Sequence, residues 1–373
     1  MGHDLLPPAP LILGGEPLPL VGPARIYACG VTPYDVTHLG HAATFVWVDA
    51  LVRTLRHANL TPVVTRNITD VDDVLTEAAR KAGAPYDEFA AIHQYDFDHD
   101  MSDLGVRRPD HEPRAHQHVG SVVRLAQALL DRGAAYQVDG TVYFRGAGAV
   151  AASGLSHADV LVALSEFGED VHDAAKESPV DIPVWRASHG SDPAWPSPWG
   201  PGRPGWHAEC TAMVIDTYGS SLDIHAGGAD LAFPHHCYEA AQAEAATGVA
   251  PFARSWMRVG TVRIAGDKMA KSTGNLVLVS DLLKEHRGAA LRMMILDRRW
   301  WEAWDYQPGL LDAAEGRLDA LHSAAGRRSE DAHAEGEVMR RLLDDVDVPG
   351  ATAVALESGG RSARVLVQVL GLS

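Results

Sequence analysis

Arg25-Ile26-Tyr27-Ala28-Cys29-Gly30 opens the stretch on which the fold turns. Its first five residues form a short, mostly apolar run of strand type that stops at a glycine. A loop from Val31 to Thr37 follows, carrying Pro33 and Asp35. From His41 to Ala58 the apolar residues recur at helical spacing. Pro62 to Arg66 is a second β-rich run. Strand, loop, helix and strand in that order predict the opening of an α/β fold with a doubly wound parallel sheet.

Outward from this stretch, residues 68–132 read as mainly helical and charged, and Thr141–Phe144 reads as a short strand. Residues 149–178 are acidic with helical pieces, and 188–205 is a loop dense in Gly, Pro, Ser and Trp. A helix is predicted over 207–218, a strand over 222–225 leading into Gly227-Gly228-Ala229-Asp230, a helix over 235–246 and a strand over 256–264. The expected organisation is a first half of a nucleotide-binding catalytic domain at 1–95 and a mainly helical connective insertion at 96–195. The second half follows at 196–260, then a lysine-bearing loop with linking helices at 261–310. A C-terminal helical bundle is expected at 311–373, broken by a charged stretch near 325–337.

Composition sets limits on partners. At 373 residues the chain can bury two or three structural units. It carries 32 basic and 49 acidic residues, a net charge of -17, which argues against tight non-specific nucleic-acid binding. Three cysteines, Cys29, Cys210 and Cys237, do not make a disulfide framework. Residues 1–20 lack the basic start and unbroken apolar run of a signal peptide, and no stretch is long and apolar enough for a membrane span. A reduced, soluble, cytoplasmic protein is expected, with no membrane partner and a monomer favoured.

Three motifs carry the chemistry. His38-Leu39-Gly40-His41 lies where the first loop enters its helix, and a helix N-terminus offers free N–H groups to an anion. Gly40 leaves room for a base or ribose to approach the backbone. Alone, the pair His38 and His41 is more often a surface pair or half a metal site. Lys268-Met269-Ala270-Lys271-Ser272 follows a strand, and Lys268 and Lys271 can close over a triphosphate; alone, such a loop is usually just solvated. Together the two predict ATP, with Mg2+, as a substrate. Cys29, Cys210 and His235 come from three separate segments near strand ends, and a parallel sheet gathers those ends at one crevice. Two thiolates and an imidazole suit Zn2+ and leave a position open. Glu239, one turn after His235, is either a fourth ligand or an outer hydrogen-bond partner. The bland alternative is buried core cysteines. His236 and Cys237 are expected off the metal face, as outer partners of the ligands or as packing residues. Asn67-Ile68-Thr69-Asp70-Val71-Asp72-Asp73 is expected to cap a helix and bond its loop rather than to hold Mg2+.

An open zinc beside an ATP site has a specific use, because a substrate thiolate binds zinc far better than a serine hydroxyl does. These motifs, with the run Trp199-Gly200-Pro201-Gly202-Arg203-Pro204-Gly205-Trp206-His207, resemble the class I cysteinyl-tRNA synthetase family over about residues 22–310; Ala270 departs from its lysine-loop pattern. Within it, Thr32-Pro33-Tyr34, His41-Ala42-Ala43-Thr44 and Gly274–Ser280 are most similar to the mycothiol-pathway cysteine ligases. The resemblance implies that Thr32 and Trp206 line a cysteine pocket, and that Gly227, Gly228 and Asp230 lie along the adenylate, with Gly40, Lys268, Lys271 and Ser272 at the nucleotide. It implies that His38, His41, Lys268, Lys271 and Asp230 assist the reaction.

The expected reaction is ATP-dependent activation of L-cysteine to cysteinyl-adenylate, then transfer to the amine of glucosaminyl-inositol. The residues after 310 are expected to supply a bundle but scarcely an anticodon-binding domain as well, so no nucleic-acid partner is expected. Glu239 follows the synthetase pattern and the bundle is short for the ligase. A ligase acting on another amine and a compact cysteinyl-tRNA synthetase therefore stand as alternatives, with a non-catalytic sensor last.

Overall fold

The computed structural model describes residues 10–34, 36–190, 192–269 and 274–373. A parallel four-stranded sheet lies at its centre. Strand β1 (Ala24–Val31) leads through the expected loop into helix α1 (Leu39–His57) and strand β2 (Pro62–Ile68). After a long excursion come α2 (Trp206–Tyr218), β3 (Leu222–Gly228), α3 (Cys237–Thr247) and β4 (Ala253–Val259). The sheet order is β4–β3–β1–β2, and all pairs are parallel. Chain direction across the sheet reverses between β1 and β3, so the ends of these two strands flank the crevice where α/β sheets bind ligands.

Alternation along β1 decides what reaches the crevice. Ile26 and Ala28 pack into the core around α1, whereas Tyr27 and Cys29 pack with Cys210, Met213 and Val214 of α2. Successive residues of a strand face opposite sides, so Cys29 is directed toward α2 by register alone. At Gly30 the two strands draw together: an added Cβ would stand 1.6 Å from the Asn67 carbonyl oxygen. The Gly30 N–H donates to Asn67 Oδ1 at 2.7 Å.

Helix α1 is apolar on most of its circumference, as a helix buried between layers must be. One side covers the sheet; the other receives the C-terminal bundle of Gly288–Leu296, Gly309–Ala325, Ala332–Leu343, Val348–Ser358 and Arg361–Leu370. Arg292, 1% exposed, fixes that contact by donating to Asp49 Oδ2 at 2.7 Å and to the carbonyls of Leu104 and Leu370. The break in the bundle spans 326–331 and is shorter than expected, because Asp331 caps a helix that begins at Ala332.

Other expectations need correction. An N-terminal hairpin not anticipated from sequence pairs Leu11–Leu13 with Glu16–Leu18, and its turn residues Gly14 and Gly15 have φ of 68° and 77°. Both glycine N–H groups donate to the Asp345 carboxylate of the bundle, at 2.5 and 2.8 Å. Within the insertion the helices are accompanied by an antiparallel sheet of Ala135–Val138, Thr141–Phe144, Ile182–Ala187 and Gly202–Pro204, of which only Thr141–Phe144 was anticipated. That sheet runs past residue 195, while residues 110–114 lie along the edge of β2. The single strand expected over 256–264 is two: β4 ends at Val259, and Val262–Ile264 belongs to a separate small sheet with Asp267–Lys268 and Trp304–Asp305. The chain breaks at Gly260, where an added Cβ would meet the Glu302 carbonyl oxygen at 2.1 Å.

Candidate active site

A cavity of about 530 Å3 opens at the ends of β1 and β3. Its walls include Thr32, His38, Gly40 and His41 from the β1–α1 turn, and Cys29 and Gly228 from the strand ends. Trp206 and Cys210 of α2, Asp230, His235 and Lys268 complete it. Residues expected to act together thus line one space, with Gly227 and Glu239 just behind it. Lys271 and Ser272 lie outside the described residues.

At one end is the helix N-terminus. His38 is the N-cap of α1, and its Nδ1 accepts from the Gly40 N–H at 3.1 Å. The His38 and His41 rings stack with centroids 3.8 Å apart. An added Cβ at Gly40 would press on the His38 ring at 2.9 Å, so glycine here serves the cap as well as the space before it. Burial, and then the neighbouring His38 and Lys268, bring the pKa of His41 down to about 3. It is neutral at pH 7 and offers a ring N–H as a dipole rather than a charge. Lys268 Nζ sits 2.5 Å from Asp230 Oδ2 across the cavity mouth. At Gly227 an added Cβ would meet the buried His236 ring at Nε2, 2.9 Å away, whereas at Gly228 it would meet only the movable Asp230 carboxylate.

At the other end four donors converge. Ligand atoms of Cys29, Cys210, His235 and Glu239 lie within 4.8 Å of one another, all buried. His235 Nε2 is 2.9 Å, and Cys29 Sγ 3.7 Å, from Glu239 Oε1. Asn67 Nδ2 donates to Cys210 Sγ at 3.1 Å. Asn67 therefore does more than the loop bonding expected of it, while Asp72 caps the next helix through the Val74 N–H as anticipated. His235 Nδ1 is 2.8 Å from His207 Nδ1. Without an ion, burial opposes a charge on His235, but Glu239 and Cys210 outweigh it and raise its pKa to about 10. Burial alone would raise the Glu239 carboxyl; His235 and His225 instead hold it well below its usual range. Two thiols, an imidazole and a carboxylate this close fit a zinc-type ion, for which four donors at about 2.0–2.3 Å are the norm.

A second layer lies behind these donors, and its member His225 was not anticipated from sequence. His225 Nε2 lies 2.8 Å from Glu239 Oε2, the oxygen turned away from His235. His236, expected off the metal face, joins His225, Cys29 and Glu239 in a second group of donors within 4.8 Å. Their signal was faint: His225 is the fourth residue of β3, and its partner Glu239 is fourteen positions on. Cys237, by contrast, packs against the core of the insertion, as expected.

Trp206 covers the donor group, its ring stacked on His235 with centroids 4.0 Å apart. Thr32 Oγ1 is 2.7 Å from Thr69 Oγ1, which lines the same cavity.

Comparison with known proteins places this geometry in context. A family model described as the tRNA synthetases class I (C) catalytic domain matches residues 21–316. The chain is 44% identical over 340 residues to the L-cysteine:1D-myo-inositol 2-amino-2-deoxy-alpha-D-glucopyranoside ligase of Acidothermus cellulolyticus, covering 89% of this chain and 83% of that one. It is 40% identical over 351 residues to the cysteine–tRNA ligase of Alkalilimnicola ehrlichii, covering 90% and 74%. Among solved structures, Mycobacterium tuberculosis methionyl-tRNA synthetase in complex with methionyl-adenylate is similar with a TM-score of 0.63 at 17% identity, over 94% of this chain and 82% of that one. That likeness establishes the fold.

Proposed function

The chain belongs to the tRNA synthetases class I (C) catalytic-domain family, and on that premise we propose that it is an AMP-forming ligase joining L-cysteine to the amine of glucosaminyl-inositol. The observation that carries the reading is one cavity with the Cys29–Cys210–His235–Glu239 group at one end and His38, His41 and Lys268 at the other. The first suits a thiol, the second a triphosphate. Relatives at 40–44% identity over most of the chain carry the sugar-ligase name.

In the first step the cysteine carboxylate oxygen attacks the α-phosphorus of ATP, and the bond to the departing pyrophosphate breaks. The N–H groups at the start of α1, with the His38 ring and the neutral His41 ring, face the charge that builds on the phosphate oxygens. Lys268, Lys271 and Ser272 close over the leaving group, and Gly227, Gly228 and Asp230 lie along the adenylate. In the second step the acceptor nitrogen attacks the acyl carbon, the bond to the phosphate oxygen breaks, and AMP leaves. Most of the acceleration is positioning and charge stabilisation.

Cys29, Cys210, His235 and Glu239 would hold zinc, with Thr32 and Trp206 enclosing the substrate side chain. When bound, zinc supplies a site for the substrate thiolate that a serine hydroxyl fills poorly. His225 keeps Glu239 oriented through its second oxygen. Among the described residues no single helix is long and apolar enough to cross a membrane; we read the protein as a cytoplasmic monomer acting on small molecules.

The test is an end-product assay by mass spectrometry with ATP, cysteine and either glucosaminyl-inositol or a tRNA pool. A cysteinyl-sugar amide is expected. The 40% identity to cysteine–tRNA ligases motivates the second reading; charged tRNA with no amide would establish it in place of the first.

A further inference from the structure

One wall of the cavity has no task in the reaction above. Helix His157–Glu166 of the insertion ends at the rim, and Glu166 lines the cavity. Glu166 is exposed, and no ion pair or side-chain hydrogen bond holds its carboxylate among the described residues. The next residue, Phe167, lies nearly parallel to Trp206, with ring centroids 6.0 Å apart at 14°. Lys268 Nζ is 5.8 Å from the Phe167 ring centre.

These contacts fix Phe167 against the reacting groups. Trp206 stacks on His235, so it marks where the cysteine side chain is held. Lys268 marks where the phosphates lie. The acyl carbon of cysteinyl-adenylate joins those two ends, and Phe167 contacts the residue at each of them. A nucleophile approaching that carbon from the insertion side passes beside Glu166, with Phe167 next to it in the chain.

The chemistry of this wall is selective. A flat aromatic face complements the C–H face of a pyranose ring. A carboxylate accepts hydrogen bonds from sugar hydroxyls and attracts an ammonium group. Glu166 is also the last residue of its helix, where the carbonyl end of the helix dipole adds negative potential. The same potential repels a phosphodiester backbone.

We propose that Glu166 and Phe167 form the acceptor subsite and take a cationic amino sugar, Glu166 orienting the amine and Phe167 supporting the ring. This rests on the sugar-ligase reading above and assigns its specificity to the insertion. Glu166 is a positioning residue here, and the activation step does not need it.

The test is steady-state kinetics of wild type, E166Q, E166D and F167A with cysteine, ATP and glucosaminyl-inositol, product identity being measured first on wild type. E166Q is expected to raise KM for the amino sugar about tenfold, the loss of one charge-assisted hydrogen bond, with E166D partly restoring it. KM for cysteine and for ATP should stay within about twofold, which a merely structural defect would not respect. If wild type forms the amide and both E166Q and F167A keep the acceptor KM within about twofold, the subsite assignment alone is wrong. If wild type forms no amide with the amino sugar, the sugar-ligase reading fails, and the subsite with it.

Discussion

Lys268 and Asp230 meet across the cavity mouth at 2.5 Å, so the first lysine of the nucleotide loop rests on a carboxylate of the segment after β3. A triphosphate entering the cavity competes with Asp230 for that ammonium. Lys268→Ala is expected to slow cysteine-dependent ATP–pyrophosphate exchange on the order of 100-fold, through loss of transition-state charge stabilisation. The KM for cysteine should stay close to wild type. An exchange rate near wild type would remove Lys268 from the activation step.

Cys210→Ser tests the donor group. Exchanging one thiolate for a weak hydroxyl donor should lower the zinc content of purified protein, read by elemental mass spectrometry. It should also raise KM for cysteine by roughly 10- to 100-fold, in line with the loss of a metal ligand. Chelator treatment of wild type should reproduce the kinetic change, and zinc should reverse it. Full zinc content with an unchanged KM in C210S would argue that the cysteines are core residues and no more.

Asp223 ties three strands together. It accepts from Arg25 of β1 at 2.9 and 3.0 Å and from Arg254 of β4 at 2.9 Å. Burial works to raise its pKa, but these bonds outweigh that and depress it below the usual carboxylate range. A depressed folded-state pKa gives stability that is present above the unfolded value and lost as pH falls through the folded one. Asp223→Asn should therefore cost roughly 1–2 kcal/mol near pH 7, a modest figure because both arginines are partly solvated. The gap to wild type should close as pH drops below the carboxylate range in thermal melts. A gap independent of pH would place the effect in packing instead.

Arg292 holds the bundle to the catalytic unit. Arg292→Ala leaves Asp49 and the Leu370 carbonyl buried with fewer donors, and should cost about 3–5 kcal/mol in denaturant unfolding. Arg292→Met, which fills the space but also removes the charge, should be comparably poor, because Asp49 would keep only its bonds to Arg53 and to the Arg107 N–H. Removing the whole pair in Arg292→Met with Asp49→Leu should recover part of the loss.

How much of this was readable beforehand differs by element. β1, α1 and β2 were legible because their apolar residues are periodic and punctuated by Gly30 and the His38 cap. The convergence of Cys29, Cys210, His235 and Glu239 was legible because Cys29 ends a strand and Glu239 follows His235 by one turn. The strand at Ile182–Ala187 was not, since Pro183 and the polar residues around it resemble a loop. The break at Gly260 was hidden because the glycine answers to Glu302, more than forty residues away. His225, Glu166 and Phe167 were missed for one reason: their importance lies in which segments the fold brings beside them, and no local spacing encodes that.

The joint at Gly30 bears on how such a pocket can evolve. Gly30 admits no side chain against Asn67, while Asn67 bonds the Gly30 amide with one end of its carboxamide and Cys210 with the other. A single substitution at either position disturbs the strand seam and the thiol together, so the thiol end has few viable neighbours in sequence space. Glu166 and Phe167, on a rim outside that joint, are free to drift. Lineages built on this frame would be expected to keep their amino acid and exchange their acceptor.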